Sequence, residues 1–142
     1  MNKTIQSTVI LLLALILLAA LVACDSTQAQ PSLWDNATYQ SDTELGNGTK
    51  TIKVQVIVQE EQATFTIHTD KDTVGAALLE YDLIAGEQGA YGLYIKVVNG
   101  ITADYDVDQS YWAFQINGEY AMTGVDLTEI TEGETYQLVY TK

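Results

Sequence analysis

From residue 51 onward, apolar and polar positions alternate in short runs separated by turn residues, the period-2 pattern of strands with one face buried. Ile52, Val54, Val56 and Val58 alternate with Lys53, Gln55, Ile57 and Gln59, which predicts a strand with one wet face. A polar turn at residues 60–62 leads into Ala63, Phe65 and Ile67, alternating with Thr64, Thr66 and His68, a second strand that pairs with the first. The period then changes. Val74, Ala77, Leu78, Tyr81 and Ile84 or Ala85 fall at helical spacing and predict one helix of about three turns, capped by Asp72 or Thr73 and ended by Gly86. Residues 87–90 read as a small loop. Leu93, Ile95 and Val97 then share one face of a third strand, and Asn99-Gly100 supplies a turn.

The clearest local signal lies at residues 111–124. Trp112, Phe114 and Ile116 alternate with Tyr111, Ala113 and Gln115, and Asn117-Gly118 follows at once. An Asn-Gly pair provides the two positive-φ positions of a type I′ turn, so the chain is expected to fold back as a hairpin with residues 119–122 as the return strand. Trp112 is expected in the core with Phe114 and Ile116. After a connector at residues 125–132, Tyr136, Leu138 and Tyr140 share a face of the last strand. Hairpin, helix, strand, hairpin and strand in this order make an α+β domain, a mixed sheet crossed by one helix in the β-grasp arrangement.

The first residues set a compartment. Lys3 precedes an apolar run over residues 9–23 that ends Leu21-Val22-Ala23-Cys24, the layout of a bacterial lipoprotein signal. The run is shorter than the ~18–20 residues of a spanning helix. Residues 1–23 are therefore expected to be a cleaved signal peptide and Cys24 the lipidated N-terminus, anchoring the chain to the extracytoplasmic face of the membrane. Residues 24–49 are rich in Ser, Thr, Gln, Asn and Asp and read as a flexible tether, which leaves residues 50–142 for the domain. Cys24 is the only cysteine, so the fold rests on its core without a disulfide.

Beyond residue 23 the chain carries 19 acidic residues against five lysines (Lys50, Lys53, Lys71, Lys96 and Lys142) and no arginine, a net charge of −14. A field of that sign excludes nucleic acid, whose phosphates need clustered cations, and repels anionic headgroups. His68, the lone histidine, falls on the polar face of its strand with no partner nearby in sequence. Asp104, Asp106 and Asp108 resemble the start of a calcium loop, but Gln109 and Gln115 stand where an EF-hand needs Gly and Glu, so they read as a solvated turn. No phosphate loop, nucleophile elbow or ligand cluster is present. The chain is expected to be neither an enzyme nor the holder of a metal or bound cofactor.

Thr73-Val74 to Leu79, Tyr91-Gly92-Leu93-Tyr94, Tyr111-Trp112 to Asn117-Gly118, Gly124, and Glu132 to Tyr136 and Tyr140 together resemble a domain family of exported bacterial proteins similar to the C-terminal β-grasp domain of transcobalamin. The resemblance covers residues 52–142. It implies a module for cobalamin or another corrinoid, touched by Tyr91, Gly92 and Tyr94 and by Tyr120, Ala121 and Met122. The transcobalamins enclose the ligand with a helical barrel that this chain lacks, so tight binding would need a partner such as a helical protein, and the ligand would pass to a membrane importer. The other reading is a surface module that presents its hairpin or sheet face to a protein or polymer and takes no small molecule.

Overall fold

A computed structural model describes residues 31–142. Cys24 and residues 1–23, the expected signal peptide, lie outside the described residues. Among the latter, nine strands form two sheets. The larger is mixed and runs β1 (Thr43–Gly46), β3 (Glu61–Thr69), β2 (Lys50–Val58), β9 (Thr135–Thr141), β7 (Tyr111–Ile116) and β8 (Glu119–Tyr120). The smaller is antiparallel, with β4 (Ile84–Gly89), β5 (Gly92–Val98) and β6 (Ile101–Thr102). This is the α+β, mostly sheet arrangement expected, with a second small sheet in addition.

Alternation does what the pattern predicts. Ile52, Val54, Val56 and Val58 on β2, Ala63, Phe65 and Ile67 on β3, and Tyr136 and Leu138 on β9 are all buried on one face. The register sets Phe65 opposite Val54 and Val54 beside Tyr136, so these side chains form continuous rows. The opposite face carries Lys53, Gln55 and Gln137. Gln137 Nε2 donates to Gln55 Oε1 across the strands at 3.0 Å.

The helix α1 (Val74–Glu80) is shorter than the spacing predicts. Thr73 caps it, its hydroxyl accepting the Ala76 N–H at 3.2 Å, and Val74, Ala77 and Leu78 are buried in the core. Apolar residues continue beyond Glu80, but Asp82 takes a left-handed φ of 53° and turns the chain out of the helix. Leu83 and Ile84 still reach the core, now as the entry to β4. Gly86 therefore lies within a strand rather than at a helix end, at a bulge between Ala85 and Gly86, where a β-carbon would strike the Tyr94 carbonyl oxygen. The stretch read as a loop at residues 87–90 is largely the rest of β4, paired with β5.

The tether assignment needs correction over residues 31–49. Ser32 caps a 3-10 turn, Leu33–Asn36, and Trp34 is buried at 7% exposure. Asn99 fixes the next segment, its side chain accepting the Tyr39 N–H at 2.9 Å and donating to the Tyr39 carbonyl at 2.8 Å. Tyr39 meets Phe65 edge to face, with ring centroids 5.7 Å apart. β1 then adds a parallel strand to β3, so the folded unit extends from residue 31 instead of residue 50. No helix of the described residues is long and apolar enough to cross a membrane.

Candidate functional site

The hairpin forms as the Asn-Gly pair requires. Asn117 and Gly118 have φ of 52° and 86°, and β7 and β8 pair on either side of them. The turn is braced from β9: the Asn117 N–H donates to the Thr135 carbonyl at 2.8 Å, and Asn117 Oδ1 accepts the Thr135 N–H at 2.9 Å. Only Glu119 and Tyr120 form the return strand, though the Ala121 N–H still donates to the Phe114 carbonyl at 3.1 Å.

Trp112 is buried and meets Tyr140 edge to face at 5.5 Å, whereas Phe114 and Ile116 are only half-buried at the sheet's end. Phe114 stacks on the fully buried Tyr136 at 6.3 Å. The Trp112 indole N–H is buried without a hydrogen-bond acceptor.

Beyond the hairpin the chain leaves an open groove of about 570 Å³, lined by Ile116, Tyr120, Ala121 and Met122 with Glu119 and Glu134. Tyr120 is 67% exposed and Met122 97%. The Tyr136 hydroxyl fixes the Glu134 carboxylate, donating to its Oε2 at 3.0 Å, and also accepts the Thr131 N–H at 2.9 Å. Burial raises the Tyr136 pKa, so the hydroxyl remains a donor.

A second turn, between β4 and β5, carries Tyr91 at 94% exposure. Asp126 positions it. Asp126 belongs to a 3-10 turn, Val125–Leu127, that backs onto α1 so closely that a β-carbon on Gly75 would lie 2.8 Å from its Cα. From there Asp126 Oδ1 accepts the Leu93 N–H at 3.1 Å. Gly92 is obligatory beside it: its φ is 107°, and a β-carbon would come 2.7 Å from Asp126 Oδ1. Gly124, at the end of the hairpin segment, lies over the same turn, its β-carbon position 3.7 Å from the Tyr91 carbonyl oxygen.

The structure thus links the Tyr91-Gly92 turn to the segment carrying Tyr120, Ala121 and Met122. Tyr94 does not line the groove. It lies half-exposed on the face of β5 that also presents Lys96, which pairs with Glu87 at 3.1 Å. Asp126 is not singled out by sequence, and Glu119 and Glu134 enter only as members of the stretches that carry the resemblance. The one signal for Asp126 was the glycine two residues before it, which reads as a turn but not as a brace for a distant strand.

The carboxylates read as a solvated turn are engaged locally. Asp104 caps the short helix α2 (Tyr105–Asp108) by accepting the Asp106 N–H at 3.0 Å. Asp108 is held down to a pKa of about 2, first by the Ser110 hydroxyl and then by Lys142, which pairs with it at 3.0 Å. His68 Nε2 lies 2.7 Å from Glu44 Oε1, and its Nδ1 lies 2.9 Å from the Thr51 hydroxyl, so the ring ties β1 and β2 to β3. Among the described residues no three His, Cys, Asp or Glu side chains are grouped so as to hold a metal ion.

Residues 71–142 match the family described as Domain of unknown function (DUF4430), and the chain belongs to it. It is similar to a protein from Ruminococcus gnavus described as a "putative metal binding protein", with 34% identity, a TM-score of 0.62, and coverage of 66% of this chain and 97% of that one. It shares its fold with haptocorrin, solved in complex with Cbi, at 21% identity and a TM-score of 0.53 over 68% of this chain. The chain spans only 26% of haptocorrin. No curated protein matches it in sequence.

Proposed function

We propose that the protein is a binding module, not an enzyme, that holds one face of a flat, apolar-faced molecule of the corrinoid class. In this reading Cys24 is lipidated, the domain stands on the extracytoplasmic face of the membrane, and a membrane importer or helical partner protein takes the ligand from it. The observation that carries the reading is the pairing of two turn tips. Among the described residues Tyr91 and Met122 are the most exposed large apolar side chains, at 94% and 97%, yet Asp126 holds the Leu93 N–H of one turn and Gly124, two residues after Met122, lies close to the Tyr91 carbonyl. Apolar side chains held in water on a braced backbone fit a surface kept for contact. An aromatic ring and a thioether suit a macrocycle face, and haptocorrin, which shares the fold, is solved with Cbi.

A one-sided contact covers about half of such a ligand, where enclosed pockets bury ~70–90%, so the chain alone is expected to bind at micromolar Kd or weaker. Absorbance titration with cobinamide and cobalamin, with haem as comparator, tests this. A saturable shift with the corrinoids supports the reading, and no change at millimolar ligand overturns it. For the anchor, Cys24→Ser should abolish labelling by a fatty-acid analogue, and undiminished labelling contradicts it.

A further inference from the structure

The groove beside the hairpin is of mixed lining, apolar from Ile116, Ala121, Met122 and the Tyr120 ring and polar from Asn117 and Thr123, and its two charged residues are both carboxylates. Among the described residues neither Glu119 nor Glu134 is paired with a cation. Four of the five lysines among the described residues pair elsewhere: Lys50 with Asp72, Lys71 with Glu80, Lys96 with Glu87 and Lys142 with Asp108. Lys53 shares a neighbouring hollow with Glu134 but forms no ion pair with it. Glu134 is also oriented in advance, because the buried Tyr136 hydroxyl holds one of its oxygens.

We propose that this groove is the docking site for a basic, apolar segment of a second protein. A lysine or arginine would lay its aliphatic stem along Ile116 and Ala121, place its cation between Glu119 and Glu134, and face the Tyr120 ring. Charge selects this occupant over others. A second copy of the chain would bring net charge of the same sign, with most of its lysines already engaged, and an anionic polymer or lipid surface would be repelled. The site shares Tyr120 and Met122 with the proposed ligand surface but rests on Glu119 and Glu134, so it needs no small molecule to be present.

Fluorescence anisotropy with a labelled, end-blocked hexapeptide of alternating lysine and leucine, added to the full chain in detergent, tests the proposal. Two control peptides carry glutamate for lysine or serine for leucine. The lysine–leucine peptide should bind best, and Glu119→Gln with Glu134→Gln should weaken it about tenfold. A charge-matched control, Glu60→Gln with Glu61→Gln, lies where β2 turns into β3 at the opposite end of the sheet, since Ile116 pairs with Tyr136, Tyr136 with Val54 and Val58 with Glu61. That control should stay within about twofold of the unaltered chain. Glu119→Gln alone, which removes no side-chain hydrogen bond of the described residues, should weaken binding without moving the melting curve. Equal weakening by both pairs, equal binding of the glutamate peptide, or no binding of the lysine–leucine peptide overturns the proposal. Cobinamide titrated into the same variants reads the ligand proposal separately, so either can fail alone.

Discussion

Asp126 and Leu93 are 33 residues apart, yet the Asp126 carboxylate accepts the Leu93 backbone N–H at 3.1 Å. That bond fastens the turn bearing Tyr91 to the segment that follows the hairpin, and through Gly75 to the helix. Asp126→Ala should therefore loosen one turn rather than the whole domain. A charge-assisted hydrogen bond of this kind contributes roughly 1.5–3 kcal/mol. Amide exchange at Leu93 should accelerate well beyond any fall in global stability.

Gly92→Ala should disturb the same turn from the other side. The added methyl group meets Asp126 and the residue must keep a φ of 107°, so strain of about 1–3 kcal/mol is expected in a denaturant melt.

Trp112→Ala should cost about 3–5 kcal/mol, a large share of a typical domain's stability. Trp112→Phe should cost much less, since it keeps an aromatic ring near Tyr140 and removes an indole N–H that has no acceptor. Comparable losses from the two substitutions would show that the N–H is satisfied in solution.

Trp34→Ala examines the N-terminal segment. A flexible tether would lose nothing, whereas a buried tryptophan should cost at least about 2–3 kcal/mol. Chemical denaturation of the two chains decides between them.

The sequence carried the larger sheet well and its additions poorly. Alternation on β2, β3 and β9 is legible because one face of each packs on the core, whereas β7 buries the adjacent Trp112 and Ala113 and leaves Phe114 and Ile116 half-buried. Asn117-Gly118 announces its turn through the backbone it permits. β1 has no such signal: it is four residues long, sits at an edge, and is held by parallel pairing and by Asp42 Oδ1 accepting the Thr64 N–H. β4 is exposed over Ala85 to Gly89 and owes its form to backbone bonds with β5, so no side-chain period could mark it. At the site, Tyr91, Tyr120 and Met122 come from the family resemblance and not from a local pattern, which reads their stretches as strands. The bond from Asp126 to Leu93 depends on tertiary proximity, which no local pattern encodes.

Acid should act on the C-terminal strand. The folded pKa of Asp108 lies at about 2, below its ordinary 3.8, so its contribution is present above pH ~4 and is lost as pH falls toward 2. Asp108→Asn should flatten the fall in stability across that window, read from melts between pH 2 and 5. An unchanged slope would mean that the ties to Ser110 and Lys142 do not persist in solution.

The most direct measurement is calorimetric titration of cobinamide into the unaltered chain and into Tyr91→Ala with Met122→Ala. These side chains are almost wholly exposed, so the melting curve should barely move. Micromolar-range binding that falls about tenfold or more in the double variant is expected if the two turn tips touch the ligand. Equal affinity in the two proteins, or no heat in either, contradicts a ligand surface at these turns.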